Sequence, residues 1–429
     1  MMGDSTLLEG GPAQPFAGTP ADLAELRLRS AELASRLGLD EEPFVIDEER
    51  NLIQVRNVAG FIALGDSTIE IMPNFLRHDP GWRVSFLTML TTVNLFEWIP
   101  TVDRGSRHAG LPDLLGMILA SAMSRATAEG MPRNYVERTA ELPSTRGQLD
   151  AGKMWRRVID PYTVDCRFSE FVADGPVPSA LKWACGELSG AVTQSWLEAE
   201  LLHYVDLFPE ASRDLPPPAV LDALQLTPQF GFLHDALDVS RLLALGPQNG
   251  ATNRPGAPGR AFLWNTDKLF GDFVEVIAEK SARESGFTAY RGASRRFGGT
   301  AKIGPSVDTI IESAEEMVAV NVSAAEFTED LLEELTGPIV AAGRELGASD
   351  VALVFPASMG LRPGTQWNLR EPGGPSMLHA LTVDPSGLGE MGGMARVLKE
   401  FELDLGAVLT IAHRRPVGSR RLGSSSALA

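Results

Sequence analysis

The run Met317-Val318-Ala319-Val320-Asn321-Val322-Ser323 most narrowly limits what this chain can fold into. It is nearly all apolar and rich in β-branched residues, so it reads as a buried strand. Side chains alternate along a strand, which puts Asn321 and Ser323 on one face. Helix and strand patterns alternate around it. Residues 306–312 and 351–355 read as strands, and 328–346 as a helix broken at Gly337-Pro338. Asn265 or Thr266 can cap a helix that runs to about residue 285 and stops at Gly286. Residues 370–394 carry many glycines and prolines and read as extended loop, and residues 406–412 as a last strand.

Upstream, Thr19 suits an N-cap, Pro20 the first helical position, and Asp22 the positive helix end, with Gly38 as the stop. Residues 43–47, 52–57, 60–64 and 68–72 are strand-like; 84–95 and 111–128 are helical; 135–142 and 147–155 are extended again. Residues 179–207 and 220–245 are helical, and the Gly-, Pro- and Asn-rich residues 246–259 form the best linker. The expected class is α/β (α+β overall). The expected layout is a flexible tail at 1–18, a β-rich N-terminal domain at 19–165, a helical connector at 166–250, an α/β domain at 255–412, and a flexible basic tail at 413–429.

Charge and composition exclude several functions. The net charge is −18 and the pI about 4.9, so the chain as a whole repels phosphate and is ill suited to tight nucleic-acid binding alone. Cys166 and Cys185 form no metal or redox motif, and the six histidines show no paired spacing, which argues against zinc. There is no P-loop pattern, so any motor activity belongs to a partner, and no serine sits in a nucleophile-elbow context. No apolar run is long enough to span a membrane, and the first residues lack a signal-peptide pattern. The expectation is a cytoplasmic protein with no membrane association.

Several segments, in order, resemble the McrC family, the non-motor subunit of McrBC-type modification-dependent restriction systems. Val58-Ala59-Gly60-Phe61-Ile62 and Ile69-Glu70-Ile71-Met72-Pro73-Asn74 resemble its "G-x-I … I-E-I-x-P-K" stretch, with Asn74 where lysine is usual. Arg146-Gly147-Gln148-Leu149-Asp150 resembles "R-G-R-I-D". Cys166-Arg167-Phe168-Ser169-Glu170 and Leu181-Lys182 resemble "C-R-Y-x-E … N-x-x-L-K", with Pro178 in place of asparagine. Residues 263–274 resemble an "L-F-E-x-F-V" helix. The resemblance implies an N-terminal part that docks on an AAA+ GTPase (McrB-like) ring and stimulates it, with DNA reached through the complex. It also implies a C-terminal PD-(D/E)xK restriction-endonuclease-like domain.

Such a nuclease gathers carboxylates around Mg²⁺, a hard cation that prefers oxygen, with a lysine beside the attacking water. The resemblance puts the helix glutamate at Gly271, the "P-D" aspartate at Ser306, and the "D-x-K" pair at Asn321 and Ser323. All four positions are uncharged. The reading is therefore a pseudonuclease, a catalytically inactive regulator or scaffold of a DNA restriction and anti-phage defence system, with no cofactor. The alternatives are an active Mg-dependent endonuclease with relocated ligands, or an interaction protein outside restriction. Asp308, also the fallback metal ligand, and Glu312 would carry the relocated chemistry, with Lys302 or Lys280 as the amine. Asp272 and Glu275 read as solvated helix charge, while the acids from Glu326 to Glu334, with no basic residue before Arg344, add to the loss reading unless the helix turns them outward. Two basic clusters, Lys153/Arg156/Arg157 and Arg291/Arg295/Arg296/Lys302, read as surface charge.

Overall fold

The computed structural model describes residues 5–16, 18–64, 67–94, 109–130, 134–149, 162–172, 174–224, 226, 228–245, 261–284, 286–291, 307–312, 317–357, 361–362, 364–369 and 374–413. In chain order the first half holds β1 (Ser5–Leu8), β2 (Gln14–Pro15), α1 (Pro20–Leu37), β3 (Phe44–Asp47), β4 (Leu52–Val55), β5 (Val58–Leu64), β6 (Ser67–Met72), α2 (Trp82–Val93), α3 (Leu111–Glu129), β7 (Asn134–Leu142), β8 (Gln148–Leu149) and β9 (Val164–Val172). The second half holds α4 (Pro176–Ser189), α5 (Ser195–Asp206), α6 (Pro218–Ala223), α7 (His234–Leu245), β10 (Ala261–Asn265), α8 (Thr266–Glu284), β11 (Thr288–Arg291), β12 (Thr309–Glu312), β13 (Met317–Val322), α9 (Glu329–Leu346), β14 (Asp350–Pro356), β15 (Gln366–Asn368), β16 (Met377–Val383) and α10 (Gly393–His413).

The chain forms two compact units, and neither is continuous in sequence. One comprises Met1–Met72 and Leu95–Asn265; the other comprises Pro73–Asn94 and Thr266–Ala429. This corrects the expected layout. Residues 73–94, expected in the N-terminal domain, belong to the second unit, and the helices expected as a separate connector belong to the first.

In the first unit, β5 and β6 form an antiparallel hairpin flanked by β1, parallel to β6, and β10, antiparallel to β5. Gly60 is required there: its φ is +134°, and a Cβ would lie 1.9 Å from the carbonyl oxygen of Phe262. A second sheet, in the order β2-β4-β3, and α1 close over a core that includes Leu7, Phe16, Leu26, Ile53 and Ile71. Residues 5–16 are thus not the expected tail. Their strands are short and set between glycine and proline, and the residues they pair with are some forty to sixty positions away. Helix α1 starts on a reciprocal capping box between Thr19 and Asp22 and ends at Gly38 in the left-handed conformation.

Two buried carboxylates hold helix starts in this unit. Glu70 accepts the N–H of Leu111 in the first turn of α3. Asp113 accepts the Thr193 N–H at 2.7 Å and its hydroxyl at 2.6 Å, just before α5. Each puts negative charge where the helix presents unpaired donors.

In the second unit, β11, β12 and β13 run antiparallel, β14 and β16 continue parallel to β13, and β15 closes the edge antiparallel to β16. Ala319, Val351 and Leu353 pack in one cluster with Ile339 and Val340 of α9. Val318, Val320, Ala352 and Val354 alternate with them and are equally buried, so both faces of the central strands are covered. Helix α2 is buried nearly all round, with Phe86, Leu87, Met89 and Leu90 fully buried, and it packs on α8.

Three local expectations fail here. Helix α9 runs unbroken through Gly337 and Pro338. Residues 406–412 lie inside α10 rather than in a strand; Val397, Phe401, Leu405 and Val408 form its buried helical stripe. Periodicity alone cannot separate a short apolar run in a buried helix from a strand. The stretch expected as loop contains β16, whose first five residues are all buried. The expected linker and the residues after His413 lie outside the described residues.

Residues 266–413 expressed without 73–94 should expose the face of α8 that α2 covers. We expect that fragment to bind a hydrophobic dye and unfold without a sharp transition. Fusing residues 73–94 to it should restore cooperative unfolding by calorimetry.

Candidate functional site

A strand covered on both faces leaves polar side chains room only where it emerges, and Asn321 and Ser323 stand at that end of β13. Asn321 Oδ1 accepts the N–H of Val322 at 3.1 Å, and Ser323 Oγ accepts the N–H of Ala325 at 3.3 Å. Asp308 sits just before β12. Its N–H donates to the Val320 carbonyl at 3.0 Å and its carboxylate accepts the Val322 N–H at 2.7 Å, so its contacts bracket Asn321. Ser306 and Lys302 lie outside the described residues. Glu312 is at the far end of β12, where it accepts the hydroxyl of Tyr290 at 2.8 Å, and the structure does not bring it to Asp308. Lys280 is exposed, more than two helical turns beyond Gly271.

Gly271 lies inside α8, and a Cβ added there would meet nothing within 4 Å. Packing therefore gives no reason for a glycine that weakens the helix. Its neighbours Asp272 and Glu275 are not merely solvated charge. Arg291, the last residue of β11, donates from Nη2 to Asp272 at 2.6 Å and from Nε to Glu275 at 2.8 Å. The two carboxylates are only 22% and 23% exposed.

Asp308 belongs to the same corner. Burial pushes its carboxyl above the usual range, and the charges of Glu275 and Asp272 push the same way; the Val322 N–H and Arg291 oppose them. The sequence offered one signal for this group, the i, i+3 spacing of Asp272 and Glu275 on one helix face. Nothing local pointed to Arg291 as their partner. Of the second basic cluster, only Arg291 is among the described residues, and all of the first cluster is outside them.

One oxygen each of Asp272, Glu275 and Asp308 is already engaged. Asp272 and Glu275 bind Arg291, Asp308 and Asn321 bind the Val322 N–H, and Ser323 holds Ala325. Among the described residues no group of three or more His, Cys, Asp or Glu is placed to hold a metal. The donor set does not fit Mg²⁺, which needs several free oxygens about one centre. Beyond the ends of β13, β14 and β16 lies a cavity of about 160 Å³ lined by Asn74, Arg77, Ala324, Glu326, Pro356 and Asp384 among others. Arg77 grips Glu326 there through two bonds of 2.7 and 2.8 Å.

The other motif residues have structural work in the first unit. Arg146-Gly147-Gln148-Leu149 lies along the Cys166–Glu170 segment: Gln148 pairs with Arg167 and Leu149 with Cys166. Arg146 bonds Glu170 at 3.2 Å, and its guanidinium lies 4.3 Å from the Phe168 ring centre. Gly147 has φ +71°, and its Cβ position lies 2.4 Å from the Arg167 carbonyl oxygen. Lys182 is buried and donates to the carbonyls of Phe208 at 2.6 Å and Ala211 at 2.8 Å. Asn74, by contrast, lies in the segment Pro73–Asn94, which belongs to the second unit.

Two compact mixed α/β units, one carrying two three-stranded side sheets and one a six-stranded sheet with an acidic corner, define a two-part α/β protein with no metal-ready centre among the described residues. Comparison with known families gives the assignment. The chain belongs to the family described as McrBC 5-methylcytosine restriction system component, whose model matches residues 53–319. The McrC resemblance read from the motifs is thereby upheld.

Among solved structures, the chain is similar to one from a Thermococcus gammatolerans assembly of McrB AAA+ hexamers with bound McrC. The TM-score is 0.66 at 14% identity, over 95% of this chain and 100% of that one. It also matches a chain of the Thermococcus gammatolerans McrBC complex, with a TM-score of 0.48 at 16% identity, over 65% of this chain and 88% of that one. No curated protein matches. No described helix is long and apolar enough to cross a membrane.

Gly271→Ala should stabilise the chain by about 0.5–1 kcal/mol, since it removes a helix-interior glycine where space is open. Chemical denaturation measures it. A second test uses Asp308. Its raised pKa is a penalty absent below the ordinary carboxylate range and growing as pH rises through the folded value. Asp308→Asn, whose Oδ1 still accepts from Val322, should therefore raise the melting temperature near neutral pH, and the gain should vanish at acid pH.

Proposed function

We propose that this chain is the McrC-like, non-motor subunit of a DNA restriction and defence system, and that it acts as an inactive regulator or scaffold. In this reading the second unit is a PD-(D/E)xK-type nuclease fold that has lost its chemistry. The order of its elements supports this: a helix, three antiparallel strands, a helix, then a strand parallel to the third. The observation that carries the reading is the corner itself: the motif positions Gly271, Asn321 and Ser323 are uncharged, and the acids beside them bind Arg291 and the Val322 N–H.

The first unit keeps what docking requires. The relative whose fold this chain shares is described as McrC bound to McrB AAA+ hexamers, and the present chain would bind a similar GTPase ring. Sheet β7-β9-β8 is the candidate docking element. Strands β7 and β9 pair over nine residues, a ribbon of about 30 Å at 3.3–3.4 Å per residue. Val164, Cys166 and Phe168 give it a small core of its own, with Ala140 and Leu142 against them. Such an arm can engage a ring without reorganising the rest of the unit. The acidic chain would then reach DNA only through the complex.

The purified chain, mixed with an AAA+ GTPase of the same system, should raise GTP hydrolysis several-fold while leaving methylated DNA intact in Mg²⁺ or Mn²⁺. Arg146→Ala, which removes the ion pair and the ring contact of the arm, should weaken that stimulation. DNA cleavage that Asp308→Ala abolishes would instead establish the relocated-ligand endonuclease.

A further inference from the structure

We infer that the cavity beyond β13, β14 and β16 is a binding site for a neutral, single-ring heterocycle with an amide-like edge, of the kind a pyrimidine base presents. The inference goes beyond the inactive-nuclease reading and stands apart from it, since it uses none of Gly271, Asp308, Asn321 or Ser323.

The place of the cavity follows from the sheet. The three strands run parallel, and the lining residues Ala324, Ala357 and Asp384 come just after their last residues. Open α/β sheets hold ligands in the crevice outside the carboxyl ends of such strands. The walls are tied in place. Buried Asp79 accepts the Gly387 N–H at 2.9 Å and the Ser85 hydroxyl at 2.6 Å, which pins the chain after β16 to the start of α2. Arg396 of α10 donates to the carbonyls of Asp384 and Ser386. Phe75 lies against Phe270, with ring centres 5.3 Å apart. Walls already ordered spare a ligand the cost of ordering them.

Charge and size select the occupant. Both oxygens of Glu326 meet Arg77, and the Asp384 carboxylate lies 3.6 Å from Arg396. The charges of these residues are thus balanced within the rim, and an entering ion would have no partner of its own. Hydrogen-bonding capacity remains. Arg77 Nε donates to His78 Nε2 at 2.9 Å, so the neutral imidazole carries its proton on Nδ1 as a further donor. The Ser386 hydroxyl can donate or accept, and the Glu326 and Asp384 carboxylates accept. Phe75, Ala324 and Pro356 add apolar surface. The volume, about 160 Å³, matches the cavity of about 150 Å³ that takes up benzene, so one six-membered ring fits. Mixed donors and acceptors without net charge, beside apolar surface, suit a ring with a polar edge better than a hydrocarbon or a phosphate.

The test is cytosine binding to the full chain, followed by saturation-transfer NMR and titration calorimetry. A ligand with so few atoms should bind with a Kd on the order of 1 mM. Benzene and inorganic phosphate should each bind at least about tenfold more weakly, which is the discrimination a few hydrogen bonds supply. Ala357→Phe, at an exposed lining position, should fill the cavity and abolish cytosine binding. Glu326→Gln, which leaves Arg77 unbalanced, should weaken cytosine and admit phosphate. Circular dichroism identifies which variants are folded, and Ala357→Leu serves if Ala357→Phe is not. Three results each overturn the inference: no cytosine binding by the folded wild-type chain, binding that a folded filling variant retains, or benzene or phosphate bound as tightly as cytosine. A single-stranded oligodeoxycytidylate that binds more tightly than cytosine, and is lost with the filling variant, supports a base presented by a strand. Tighter binding of cytosine supports a free base.

Discussion

Burial of both faces of β13 is the constraint from which the second unit follows. A strand covered on both sides cannot place polar atoms along its length without leaving them unpaired, which is costly. The apolar run from Val318 to Val320 meets that demand, and polarity is confined to the emerging end, at Asn321 and Ser323. The same cover dictates what surrounds the strand. It calls for α9 as a crossover to the parallel β14, and for further helices behind the remaining strands. Helix α2 meets part of that need from far upstream in sequence, which is why the second unit is discontinuous.

What the sequence made legible divides along the same line. Elements specified by nearby residues were readable: α1 through Thr19, Asp22 and Gly38, α8 through its cap at Asn265 or Thr266 and its stop at Gly286, and β3 to β6 as strand-like runs between turns. Elements specified by distant partners were not. β1 and β2 are strands because of residues 67–72 and 52–53, β16 because β14 lies beside it, and α2 joins α8 from nearly two hundred residues away. The candidate site behaved likewise. The uncharged set Gly271, Asn321 and Ser323 could be seen from motif positions, and Asp308 from its place two residues beyond Ser306. The salt bridges of Arg291 could not, because strand pairing and helix packing together create them.

The two units use buried and half-buried acids in opposite ways. In the first unit Glu70 and Asp113 point at helix starts, where backbone donors offset their charge locally and hold the fold. In the second, Asp272, Glu275 and Asp308 converge on one another, an arrangement that costs energy unless a cation sits among them. No requirement of packing explains that convergence, since the Gly271 side of α8 is open and the strand would fold with neutral residues there. Arg291 supplies that cation to Asp272 and Glu275 from β11, so their charge is offset within the fold. In the first unit, by contrast, the motif residues Arg146, Gly147 and Lys182 each make a local contact that holds the fold in place.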